Sequence, residues 1–289
     1  MTSQPDTTPD TSAAEFPIDT IRPLLLEQFA VLDDLLSGPT EDEWTTATCL
    51  PGWTVKDITA HLIGTESMLA GIEAPRIERD VRSFDHVRND IAAFNELWVE
   101  SLRPVPGPDV LERYREIVAL RTEQLGAMTQ ADFGKQSNTP VGPAPYGRFM
   151  RIRVFDCWLH ELDICDALGR TGSEGGPRAE LGSAEVFGAV PFIVGKRGKA
   201  PEGARITIEL SGPLARTVHV EVHGRATEVP ALSEPATTTI AMDSGLFVRL
   251  AGGRVRAEDR IDEITLGGDT EVGRASSTTS RSRSDVVRL

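Results

Sequence analysis

Asp156 and His160 stand four residues apart, so on one helix their side chains leave the same face one turn apart, a carboxylate and an imidazole placed to grip a cation. The same spacing fits an ordinary helix pair of opposite charge. Of the five histidines, His61 is the one set to face inward, because it follows a capping residue and lies in the apolar run ITAHLIG. His219 and His223 share one side of a predicted strand with no carboxylate third partner and read as an exposed strand face. His86, among the charges of RSFDHVRND, reads as a solvated helix position. His61, Asp156 and His160 are the candidate ligands of one divalent metal, with the reading as unremarkable core and surface groups still open beside it.

The elements that must position these residues are legible from periodicity. Between Ile18 and Leu36 apolar residues recur at helical spacing. Thr40 with Glu43 and Thr54 with Asp57 have the spacing of capping boxes, the second starting a helix at about Val55 after a Pro51-Gly52-Trp53 turn. Helical spacing continues over about 83–102 and 108–130, residues 131–147 read as a loop, and a longer helix runs from about Gly147 to Leu168 with Gly169 as its C-cap. The glycine-rich stretch Thr171 to Pro177 reads as a linker. Beyond it come a helix near 183–195, alternating strands at 205–210, 217–222, 237–242 and 261–266, and a short helix from Gly245 to Leu250. The expectation is a multi-domain chain: a polar tail over 1–15, a four-helix bundle over 16–170, an α+β domain over 178–271 and a Ser/Arg-rich tail over 272–289.

Composition narrows the function classes. A chain of 289 residues with a hydrophobic fraction of 39% can fill two cores. The net charge of -14 would repel a phosphate backbone, so nucleic acid is not an expected partner. No stretch reaches the roughly 20 apolar residues that span a bilayer, and the acidic start lacks a signal-peptide pattern, so a cytoplasmic protein without a membrane partner is expected, as monomer or homodimer. Cys49, Cys157 and Cys165 show no CxxC spacing, and reduced thiols are expected.

Two stretches carry a resemblance. LPGWTVKDITAHLIGTE, residues 50–66, and RVFDCWLHELDICDALGR, residues 153–170, resemble the two signatures of the DinB-like N-terminal domain of the mycothiol-dependent maleylpyruvate isomerase family, in the same order and at the same separation. The second half is similar to that family's sterol-carrier-like C-terminal domain. The resemblance implies a metal, usually zinc, held by His61, Asp156 and His160, with mycothiol, a sugar-linked cysteine derivative, as thiol cosubstrate. The family commonly has Glu where this chain has Asp156, so the shorter arm must draw its helix closer or bind through water. Three protein ligands leave a coordination position open to a thiol, and the implied function is a metal-dependent, thiol-using isomerase or S-transferase acting on a small electrophilic or unsaturated molecule. Arg254, in the RLAGGR stretch 249–254, is the implied anion-binding residue from the second domain, with Arg88 a second candidate in the bundle. Asp57 is a candidate partner for the second nitrogen of His61, Asp163 and Glu161 are candidate supports of His160, and Trp53 and Trp158 are expected core anchors. Two rivals stay open: a zinc hydrolase using metal-bound water, and a non-enzymatic small-molecule binding protein with a decayed metal site.

Overall fold

In a computed structural model, residues 15–277 are described. The first half is a four-helix bundle of α1 (Ile18–Leu36), α2 (Val55–Leu69), α4 (Gly107–Ala127) and α5 (Tyr146–Leu168), with α3 (Asp90–Leu102) packed against α2. Each helix forms where its apolar spacing and caps allow. In α1, Ile21, Leu25, Phe29, Leu32 and Leu36 make one buried stripe. The side chains of Thr40 and Thr54 each accept from the backbone of the acidic residue three positions on, and that residue reaches back, so both capping boxes are formed. Gly169 closes α5 in the left-handed region at φ 62°, where a side chain would be strained.

Helix α5 is buried along almost its whole length, from Gly147 to Cys165. One side, including Phe149, Met150, Val154 and Ile164, joins the bundle core; the other, with Phe155, Trp158, Leu159 and Leu162, joins the core of the second half. The two halves therefore share a helix as a common wall. After it, α6 (Pro177–Gly188) lies against α5, and Arg178 bonds Gln28 and Glu161.

The second half is α+β, built on a five-stranded mixed sheet in the order β5-β4-β3-β6-β7: β3 is Arg205–Ser211, β4 Arg216–His223, β5 Arg225–Val229, β6 Thr238–Asp243 and β7 Thr265–Gly268. β3 runs antiparallel to β4 and parallel to β6, in the register Ile208 to Val218 and Ile208 to Ile240. Ile206, Ile208, Leu210, Val218, Val220 and Val222 alternate into a core covered by α6 and α7 (Ser244–Ala251).

Several local expectations are corrected. α3 starts at Asp90 rather than 83, because the Asn89 side chain caps it by accepting from the Ala92 amide. Residues 131–147 are not a bare loop: a helical turn at Gln130–Gly134 leads into a hairpin of β1 (Gln136–Thr139) and β2 (Gly142–Pro145). The predicted strand at 261–266 is mostly a 3-10 turn, Ala257–Glu263, with the strand beginning at Thr265. The helix α8, Thr270–Ser277, occupies the start of the expected C-terminal tail; the rest of that tail and residues 1–14 lie outside the described residues. Among the described residues no helix is long and apolar enough to cross a membrane.

Candidate metal centre

His61 lies two turns into α2, on the face the Thr54 cap turns inward, and Asp156 and His160 lie one turn apart on α5. The structure brings the three side chains together, each buried. Nε2 of His61 is 3.2 Å from Oδ2 of Asp156, and Nε2 of His160 is 3.4 Å from Oδ1. One ligand atom from each residue lies within 4.8 Å of the others. Two donors bound to one zinc ion at about 2.0–2.1 Å and the tetrahedral angle would be about 3.3 Å apart. The shorter Asp arm therefore reaches both imidazoles, and the donor set of two neutral-capable nitrogens and a carboxylate fits a divalent ion.

Behind the triad, Asp163 accepts from Nδ1 of His160 at 2.9 Å, which leaves Nε2 of that ring for the metal. Asp163 also accepts from Nε and Nη2 of Arg254, both at 3.0 Å, and from Sγ of Cys49 at 3.3 Å. Asp57 has no comparable role: its carboxylate accepts from the amide and hydroxyl of Thr54, and Nδ1 of His61 is buried with no bonding partner. Glu161 likewise serves the fold, accepting from Gln28, Arg178 and the Ser173 amide.

The charges divide by environment. Burial pushes His61 below its ordinary imidazole value, against the pull of Asp156. For His160 burial acts in the same sense, but Asp156 and Asp163 outweigh it and raise the ring. Burial would raise Asp156, yet Arg153, His160 and His61 hold its carboxyl well below the usual range. Asp163 is depressed in the same way, burial being overcome by Arg254 and His160. The chain's own thiols are all held protonated. Desolvation pushes Cys49 up to about 12 and Cys165 to about 11, and burial raises Cys157 as well.

A cleft of about 100 Å³ opens beside the triad, with Trp53, His86, Ile91, Asn95, Glu96, Asp156, His160 and Arg254 among its walls. Trp53 packs half-buried against the bundle core, as expected of an anchor, and also lines the cleft, with its ring 5.3 Å from that of His61 and Nε1 donating to Glu96 at 2.5 Å. His86 corrects its reading as a solvated helix position. It precedes α3, bonds Glu96 at 2.7 Å and stacks on Phe84. Gly52, at φ 81°, lets it approach, since a Cβ there would lie 2.9 Å from the ring. Trp158 is a core anchor, its Nε1 donating to the Ser173 carbonyl. Arg254 reaches the cleft from the second half, whereas Arg88 is exposed and is not among the cleft's walls. Residues 71–82 carried no periodic signal, and within the helical spacing of 83–102 the polar pair Asn95-Glu96 among apolar neighbours was the one available clue.

Residues 25–165 match the family profile described as the mycothiol maleylpyruvate isomerase N-terminal domain, and residues 183–275 match the MDMPI C-terminal domain. The chain belongs to the mycothiol-dependent maleylpyruvate isomerase family. Membership makes it an isomerase-family enzyme, and the two matched segments fall on the bundle and the α+β half. Two crystal structures of mycothiol-dependent maleylpyruvate isomerase, one of a histidine-to-alanine variant, superimpose with TM-score 0.57 at 18% and 17% identity. Each covers 89% of this chain and 95% of its own, a likeness of fold. No curated protein sequence matches the chain.

Proposed function

We propose that the protein is a metal-dependent isomerase or S-transferase that uses mycothiol or a similar small thiol to attack an unsaturated organic molecule, in the cytoplasm. The observation that carries this reading is the convergence of His61, Asp156 and His160, with Asp156 and His160 in the wall of an open cleft. When bound, zinc or a similar ion would stabilise thiolate over thiol and so supply a sulfur nucleophile at neutral pH.

The protein's residues supply the rest. Asp163 holds Nδ1 of His160, which fixes the tautomer and aims Nε2 at the metal position, and Arg254 holds Asp163 in turn. Trp53 lies over His61 and narrows water's access to it. Desolvation raises each of the chain's own thiols above its ordinary value, which favours a cosubstrate as the source of the sulfur. As a sulfur–carbon bond forms, the substrate's π pair moves toward a conjugated carbonyl; the former double bond rotates, and expulsion of the sulfur restores it in the other geometry. If a proton is delivered to the carbon instead, the product is a thioether.

Elemental analysis and a thiol-dependence assay test the reading together. The purified protein is expected to hold stoichiometric divalent metal, His61→Ala and His160→Ala to lose it, and turnover of unsaturated acids and ketones to require added thiol. Wild-type protein that neither holds nor takes up metal, or turnover of an ester indifferent to thiol, would overturn it.

A further inference from the structure

A second cavity, of about 270 Å³, lies between α2, α3, the β1-β2 hairpin and α5. Its walls are mostly apolar, with Met68, Ile91, Phe94, Phe149 and Ile152 among them, and Arg153 at one side. Ile91 and Asn95 line both this chamber and the metal cleft, so the two spaces meet at one turn of α3. Asn95 is only 7% exposed, and among the described residues nothing hydrogen-bonds its side-chain amide. An amide that lines two cavities and has no protein partner keeps its donors and acceptor for a group bound there.

The charges around both spaces say which ligand fits. Each of the three guanidinium nitrogens of Arg254 already donates, two to Asp163 and one to the Gly252 carbonyl. Arg153 is engaged likewise, by Glu66, Asp156 and Sγ of Cys157. Glu96 and Asp156 add negative charge to the cleft. A carboxylate placed in the apolar chamber would be desolvated there, beside the acidic Asp90 and an Arg153 already engaged. An uncharged body meets no such cost, and a dry apolar cavity of about 150 Å³ is enough to take up benzene.

We infer that the electrophile is an uncharged unsaturated carbonyl compound with a hydrocarbon or aromatic body: the body fills the apolar chamber, the carbonyl accepts from the amide of Asn95, and the conjugated carbon extends into the metal cleft. This rests on the proposed thiol chemistry for the reaction itself, but the binding it describes needs neither thiol nor turnover. Asn95 is thereby a binding residue, and the chamber sets specificity.

The test is binding of 4-phenyl-3-buten-2-one and of maleate to the full-length protein, by calorimetry without thiol, with and without metal. The neutral aryl enone is expected to bind in both states, at least tenfold more tightly than maleate. Asn95→Ala should weaken it by about three- to tenfold, the worth of one hydrogen bond. Met68→Trp, at the chamber's half-exposed rim, should block it while leaving the fold intact, which a circular dichroism melt checks. Maleate binding as tightly as the enone, or enone binding unmoved by both substitutions, overturns the inference. Enone binding without thiol-dependent turnover in any assay would support it and instead remove the proposed reaction.

Discussion

Two buried polar clusters lie next to each other in the bundle and share helix α2, which carries Glu66 in one and His61 in the other. In the first, Glu66 accepts from Arg121 and Arg153 on separate oxygens, and Arg121 goes on to Gln124 and Tyr146, so its donors find protein acceptors. In the second, one carboxylate, Asp156, stands between two imidazoles, Nδ1 of His61 has no partner, and a cleft runs alongside. Arg153 touches both, bonding Glu66 and Asp156. A cluster saturated by its own chain is a strut, because nothing further can bind without breaking it. A cluster left short of partners at the wall of a cleft is a receptor, because a metal or substrate completes it.

The sharpest way to break that contrast is to remove Glu66. Glu66→Ala leaves Arg121 buried without a carboxylate and Arg153 with Asp156 alone, and is expected to cost about 3–5 kcal/mol in denaturant unfolding, a large share of an ordinary domain's stability. A loss below about 1 kcal/mol would show that the first cluster is not a strut.

On the other side, Asp163→Asn is expected to weaken metal binding by about 10–100-fold in chelator competition, since it no longer fixes the His160 ring, while secondary structure is kept. If affinity is unchanged, the ring is oriented by something other than Asp163.

The smallest effect is in acid. Asp163 has a depressed carboxyl in the folded protein, so it adds stability in full above about pH 4, the unfolded value, and loses it as pH falls toward the folded one. In metal-free protein the stability gap between wild type and Arg254→Leu should therefore be widest near pH 6 and narrow below about pH 4. A gap that grows on acidification would mean the pair is not the source of the depression.

The parts of this fold legible in one dimension were those governed by neighbours in sequence. Capping at Thr40 and Thr54 and the stop at Gly169 depend on bonds across two to five residues, and the alternation in RITIEL and TVHVEV depends only on which side of a strand is wet. Strand β5 escaped because it lies on the sheet edge and its residues are mostly exposed or half-buried, leaving no apolar alternation to detect. The alternation of IDEITL misled for the opposite reason: a 3-10 turn over Ala257–Glu263 accommodates the same pattern without a strand partner.

The functional centre divides along the same line. Sequence by itself determined the candidate ligands, since Asp156 and His160 stand about one helical turn apart and His61 follows a cap in an apolar run, a choice the resemblance then supported. It also placed Arg254 among the candidates. Only the tertiary structure decided that Trp53 lies beside the two imidazoles and His86 lines the same cleft, that Asp163 rather than Asp57 supports an imidazole, and that Asn95 lies between two cavities. Those positions come from segments far apart in the chain packing around α2 and α5, and no local pattern of side chains encodes where such segments meet.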